Sequence, residues 1–257
     1  MKTHIDLRLD GDIGHIVLKP DPITKPPAFD QDSLAELDMA ISRIQEKAKT
    51  IRFVILSSDS ERHFLVGANI HALAELTAET IGDWVREGHR VFNRLENLPF
   101  PVIAIVNGST LGGGLELALA CDFILAGPNA RFGLPELRLG LTTGWGGAWR
   151  LMQRVGRGKA RELLYAGRFV DSIDAHQIGL CDFYGSNEEL KAWLEQFVAD
   201  TRGMSSASIA ETKAMLLELG AHERNQACEL EISASERLMA SPDTEERLNS
   251  FFERRKI

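Results

Sequence analysis

Asn107-Gly108-Ser109-Thr110-Leu111-Gly112-Gly113-Gly114-Leu115-Glu116-Leu117-Ala118-Leu119-Ala120-Cys121-Asp122 lies between an apolar run at 102–106 and a second one at 123–126. Three consecutive glycines leave the backbone N–H groups open to a ligand where side chains would block it, and the apolar residues after them predict a helix. Glu116 then falls in the first turn of that helix, with apolar neighbours on both sides. A carboxylate there reads in two ways. It caps the helix and favours its positive end, or it serves as an acid or base.

The rest of the chain frames this stretch as one layer of an α/β fold. Upstream, Ile5, Leu7 and Leu9 alternate with polar residues, Gly11-Asp12 makes a turn, and Ile16-Val17-Leu18 follows, which predicts an opening hairpin. Residues 19–30 carry four prolines and read as a surface loop. Leu34, Leu37, Ile41 and Ile44 recur at helical spacing, and Phe53-Val54-Ile55-Leu56 reads as a buried strand. After it, Phe64-Leu65-Val66-Gly67-Ala68-Asn69-Ile70 is a small-residue loop with accessible backbone. A helix follows with Ile81, Trp84, Val85, Val91, Phe92 and Leu95 on its apolar stripe, and this places Trp84 in the core.

Downstream, Arg131-Phe132-Gly133-Leu134-Pro135-Glu136-Leu137 holds a second carboxylate just after a proline, on constrained backbone. A second glycine cluster, 140–147, carries Trp145 and leads into Trp149; these rings read equally as pocket lining and as core. Arg150, Arg154, Arg157, Lys159 and Arg161 read as a solvated or intersubunit face. Beyond Gly179 a short strand is expected at 180–184. From about 188 the pattern is helical, at 190–200, 205–219, 221–240 and 244–255. The expected organisation is a core at 1–185 and a helical C-terminal region at 186–257.

Composition narrows the function. With 257 residues and 44% hydrophobic content the chain can bury one large core. No run reaches the roughly 18 to 20 apolar residues that span a bilayer, and the first residues lack a signal-peptide core, so no membrane association and a cytoplasmic location are expected. Cys121, Cys181 and Cys228 are far apart and offer neither a disulfide framework nor metal-ligand spacing. The histidines form no ligand pair and read as surface or satisfied core residues, so no metal is expected. A net charge of −8 opposes nucleic-acid binding. Phosphate-loop, dinucleotide-binding and nucleophile-elbow patterns are absent. If Glu116 and Glu136 faced one cleft, they could hold different protonation states, while glycine-rich loops offered N–H groups to an enolate oxygen.

Taken in order and spacing, the 64–70 loop, the 107–122 stretch, Phe132-Gly133-Leu134-Pro135-Glu136 with Leu139-Gly140, and Gly146-Gly147 resemble the enoyl-CoA hydratase/isomerase (crotonase) family. The resemblance continues through Gly167 and 175–179 to Asp243-Thr244 and Phe252-Glu253-Arg254-Arg255-Lys256, nearly the whole chain. It implies a crotonase-like (ClpP/crotonase) spiral of ββα units with a helical C-terminal trimerisation region, assembled as a homotrimer or a dimer of trimers. It further implies Glu116 and Glu136 as catalytic carboxylates and the N–H groups of Val66 and Gly113 as an oxyanion hole. Val66, Gly67, Ala68, Asn69, Ile70, Gly112, Gly113 and Trp145 would contact the acyl-CoA thioester. The implied activity is that of a lyase adding water across the 2,3 double bond of a 2-enoyl-CoA, with coenzyme A as part of the substrate and no cofactor. A double-bond isomerase of the same fold and a catalytically silent acyl-CoA-binding protein are the alternatives. Asn69, Thr143, Trp145 and Trp149 depart from the residues usual in the family.

Overall fold

Apolar runs too continuous for a one-sided sheet form the centre of the molecule, as expected for parallel strands covered on both faces. The computed structural model describes residues 2–218 and 221–253. Arg254-Arg255-Lys256 and the ends of the helices expected at 205–219 and 244–255 lie outside the described residues. The larger sheet is built from β1 (Lys2–Asp10), β2 (Ile13–Asp21), β3 (Phe53–Ser58), β5 (Val102–Val106), β7 (Phe123–Ala126) and β10 (Phe183–Tyr184), side by side in that order. Within this sheet, among the described residues, only the β1–β2 hairpin is antiparallel. The smaller sheet has the order β4 (His63–Leu65), β6 (Ser109–Leu111), β8 (Arg131–Gly133) and β9 (Val170–Asp171).

The chain alternates between the two sheets. Each of β3, β5 and β7 in the large sheet is followed by β4, β6 or β8 in the small one and then by a helical segment. These segments are α2 (Ile70–Ala74) with α3 (Ile81–Glu96), α4 (Gly113–Leu119), and a 3-10 turn at Glu136–Leu139. This is a spiral of ββα units, a mixed α/β fold. Its consequence for function lies in the small sheet, where β4, β6 and β8 run parallel as neighbours. Their carboxyl ends therefore point to one edge. The loops that leave them begin at Val66, Gly112 and Leu134, so three segments far apart in sequence meet there.

Helix α1 (Gln31–Glu46) shows how local chemistry sets the frame. Asp30 caps it by accepting a hydrogen bond from the Ser33 N–H at 2.9 Å, and Leu34, Leu37, Ile41 and Ile44 are fully buried under the large sheet. After α4 come α5 (Gly147–Ala166), α6 (Ser172–Gln177), α7 (Asn187–Arg202), α8 (Ser206–Glu218), α9 (Ala221–Met239) and α10 (Pro242–Glu253). Buried Lys213 ties α8 to the core, donating to the Phe100 carbonyl at 3.1 Å and to Asp122 at 2.6 Å.

The structure corrects several expectations. The proline-rich segment is not simply a surface loop: β2 runs on through Pro20, which pairs with Thr3 beyond the last residue that β3 reaches. There only β1 flanks it, so its missing N–H is tolerated. At the other end Ala28 and Phe29 are buried, and Thr3 Oγ1 bonds the backbone of Ala28. The expected strand at 180–184 shrinks to β10. The basic cluster divides: Arg157, Lys159 and Arg161 are exposed, but Arg150 is buried, bonding Glu96 at 3.1 Å, Asn93 at 2.6 Å and the Trp145 carbonyl at 2.7 Å. Its place at the start of α5, against α3, turns it inward.

Candidate active site

The three loops at the edge of the small sheet enclose an apolar cavity. It is lined by Val66, Gly67 and Ala68 from the first, Gly112, Gly113 and Glu116 from the second, and Pro135 and Glu136 from the third. Trp84, Val85, Leu141 and Trp145 also line it. The structure thus brings together both sequence-predicted carboxylates, both glycine-rich loops, Ile70 and Trp145. Asn69 does not line the cavity; it caps α2, accepting from the His71 N–H at 3.1 Å. Trp145 resolves the two readings by satisfying both, being 2% exposed, packed on Phe92, and part of the cavity wall. Trp84 is corrected: only partly buried, its ring lies tilted against that of Trp145 with centroids 5.1 Å apart, and it faces the cavity as well as the core.

Glu116 sits in the first turn of α4, a helix buried on every side. Its Oε1 accepts hydrogen bonds from the Trp145 N–H at 2.7 Å and the Gly147 N–H at 2.8 Å. Those two donors fix the carboxyl group. Burial nevertheless drives its pKa well above the usual carboxylate range, with the negative charges of Glu231 and Glu136 adding to the rise. Glu136 is held differently. Both its carboxylate oxygens are shut away from solvent and have no hydrogen-bond partner among the described residues. Gly112 admits it: with φ 54, a conformation that favours glycine, it lies so close that an added Cβ would come within 3.2 Å of Glu136 Oε1. Burial lifts Glu136 to about 7, its own backbone amide opposes the rise, and the charge of Glu231 adds to it. The carboxylates repel each other's charge, so they titrate as a coupled pair.

A raised carboxyl pKa makes ionisation cost stability. In the wild type that cost is absent below about pH 4.5 and is fully present above about pH 7. The stability of Glu136→Gln relative to wild type is therefore expected to increase across that window by up to about 3 kcal/mol. Chemical denaturation at pH 4.5 and pH 8 checks this; a constant difference would contradict it.

The 66–70 loop brings the main correction. The Val66 N–H, expected in the oxyanion hole, donates to the Pro27 carbonyl at 2.9 Å and is already engaged. The proline-rich segment causes this by running alongside the loop, where the Phe29 N–H donates to the Gly67 carbonyl and the Asn69 N–H to that of Phe29. Two residues on, the Ala68 N–H has no acceptor among the described residues, and neither has the Gly113 N–H at the start of α4. The loops are in close contact, for a Cβ on Gly67 would lie 3.3 Å from the Gly113 nitrogen.

The sequence reading also missed a third buried carboxylate, Glu231 on α9, paired with buried His89 of α3 at 2.8 Å. Its signal was helical spacing: Cys228, Glu231, Ile232 and Ser235 fall on one face, which places Glu231 among inward residues. Among the described residues no cluster of three or more His, Cys, Asp or Glu side chains could hold a metal ion, and no helix is long and apolar enough to cross a membrane.

A ββα spiral whose parallel-strand loops pool two buried carboxylates and two N–H groups with no acceptor among the described residues can carry acid–base chemistry. A sequence profile of the enoyl-CoA hydratase/isomerase family matches residues 16–257, and the chain belongs to that family. It is 33% identical over 229 residues to a crotonyl-CoA hydratase of Syntrophomonas wolfei, covering 89% of this chain and 88% of that one. With a short-chain-enoyl-CoA hydratase of Clostridium acetobutylicum it shares 34% identity over 236 residues, 90% of this chain and 88% of the relative. The crystal structure of an enoyl-CoA hydratase from Bacillus halodurans superposes with a TM-score of 0.88, covering 96% of this chain and 99% of that one at 22% identity, which speaks to the fold alone.

Proposed function

We propose that this chain is an enoyl-CoA hydratase, adding water reversibly across the 2,3 double bond of a 2-enoyl-CoA to give a 3-hydroxyacyl-CoA. The observation that carries this reading is the pair of buried carboxylates on one cavity, Glu116 held by two amides and Glu136 with both oxygens unpartnered among the described residues. An orphaned buried carboxyl group is costly unless something binds it, and a water between the two glutamates would satisfy it. The family membership and the names of the relatives support the same substrate class.

In this reading the thioester oxygen takes hydrogen bonds from the Ala68 and Gly113 N–H groups. One carboxylate accepts a proton as the water oxygen bonds to C3, and electron density moves through C2 to the thioester oxygen, where the two N–H groups stabilise the enolate. The enolate then collapses, C2 takes a proton from the other carboxyl group, and the product is neutral at both carbons. Because the coupled pair shares a proton, it can give one and take one without change of net charge. The thioester supplies the electron sink, so no prosthetic group or metal enters these steps. Trp84, Trp145, Val85 and Leu141 would receive the acyl chain, and the 66–70 loop would lie along the coenzyme A moiety. A homotrimer or dimer of trimers belongs to this reading; apolar Tyr165, Leu216 and Leu230 are exposed on the single chain.

The test is turnover of crotonyl-CoA and longer 2-enoyl-CoAs, followed as loss of the conjugated thioester absorbance, with the product weighed by mass spectrometry. A product heavier by one water is expected. A product of unchanged mass would point to the isomerase, and binding without turnover across the panel to a silent acyl-CoA-binding protein.

A further inference from the structure

The start of α5 is gripped from two sides. Successive backbone N–H groups point alternately at two buried carboxylates: Trp145 and Gly147 donate to Glu116 at 2.7 and 2.8 Å, while Gly146 donates to Glu231 at 2.8 Å and Ala148 to Glu231 at 3.4 Å. Glu231 also accepts from Thr143 Oγ1 at 2.7 Å and pairs with His89 Nε2 at 2.8 Å. From these contacts we infer that Glu231, delivered by the C-terminal helix α9, is a positioning residue for the Glu116–Glu136 pair and sets the pH range in which that pair works. The inference rests on the hydratase reading for its kinetic consequence.

Two physical effects follow from the geometry. The first is orientation. The N–H groups at a helix start have no partner within the helix, and here Glu231 takes those of Gly146 and Ala148 while Glu116 takes those of Trp145 and Gly147. Without it the Gly146 N–H and the Thr143 hydroxyl lose a buried acceptor, and the turn whose alternate amides hold Glu116 loses one of its ties. The second effect is electrostatic. Burial alone would raise Glu231, but the hydrogen bond and charge of His89, with Thr143 and the Gly146 amide, hold its carboxyl below the usual range. It thus presents a fixed negative charge to both other glutamates, and that charge pushes each of them up. The charged or titratable groups around it are His89 on α3, Arg150 on α5 with its partner Glu96 on α3, Glu116 on α4, Glu136 on the 3-10 turn, and Cys228 on α9 itself. Arg150 is bonded to Glu96, so Glu231 is not neutralised by it.

The experiment compares wild type with Glu231→Gln, which removes the charge and preserves the shape. With a 2-enoyl-CoA substrate, kcat is expected to fall by about 10- to 100-fold with KM changed less than about threefold, and the pH–rate profile to move to lower pH by half a unit or more. Independently of turnover, carbon-13 NMR of labelled glutamate carboxyls should show the Glu136 titration moving down from about 7. Unchanged kcat with an unmoved profile and titration, in a wild type that hydrates, would overturn the role of Glu231. A wild type that does not hydrate would instead sink the function, with the NMR titration still deciding for or against Glu231. If Glu231→Gln does not fold, Thr143→Val, which removes one tie to Glu231, is expected to lower kcat several-fold at unchanged KM; wild-type kcat there would refute the inference.

Discussion

Glu136→Gln and Glu116→Gln should each lower kcat for hydration by about 10²-fold or more, because each removes one proton carrier from a reaction that needs two. The substitutions are close in shape, so the losses should appear in kcat with modest effect on KM. In Glu116→Gln the side-chain oxygen can still accept from the Trp145 and Gly147 amides, which keeps the α5 turn in place. In Glu136→Gln the new amide fills a site where the native oxygens have no partner among the described residues. Circular dichroism should therefore be unchanged in both. Steady-state rates across pH check the expectation, and hydration at near wild-type rates in both variants would remove the carboxylates from the mechanism. The double variant should lose little beyond the worse single one, since groups that act as a unit are not additive.

Converting the Ala68 amide to an ester, by placing the corresponding hydroxy acid at position 68, should cost about 10²- to 10³-fold in kcat, the effect of deleting one oxyanion donor. The same exchange at Val66 gives the contrasting result. Its N–H already serves the Pro27 carbonyl, so stability should fall by about 1 kcal/mol while kcat stays within a few-fold of wild type. A large rate loss at Val66 and none at Ala68 would restore the expectation drawn from the family resemblance. These two single-atom changes separate residues that the sequence places only two positions apart.

The two predicted carboxylates were visible from residue type and setting: Glu116 followed three glycines in an apolar helix, and Glu136 followed a proline. Their meeting was not visible, because it depends on β4, β6 and β8 lying parallel in one small sheet. Those strands are three residues each, too short for a period to show. The pairing of the Val66 N–H has a similar origin. Which N–H in a loop stays free depends on what pairs with it, and the partner, Pro27 to Phe29, lies well upstream in a stretch whose prolines read as plain loop. Arg150 and Glu231 show the limit for charged side chains. A charge on a helix is expected to face water; helical spacing sets Glu231 on an inward face, but the buried partners that hold the two charges there, Glu96 for Arg150 and His89 for Glu231, are not legible in the sequence.

The most direct test of the central claim is the isotope content of the product formed from a 2-enoyl-CoA in water enriched in both oxygen-18 and deuterium. Addition of water by the Glu116–Glu136 pair predicts at most one oxygen-18, at C3, and one non-exchanging deuterium, at C2, per product molecule, with the oxygen-18 fraction equal to that of the water. Deuterium in the acyl chain without oxygen-18 would mean that the pair moves protons without adding water, and the hydratase account would be wrong.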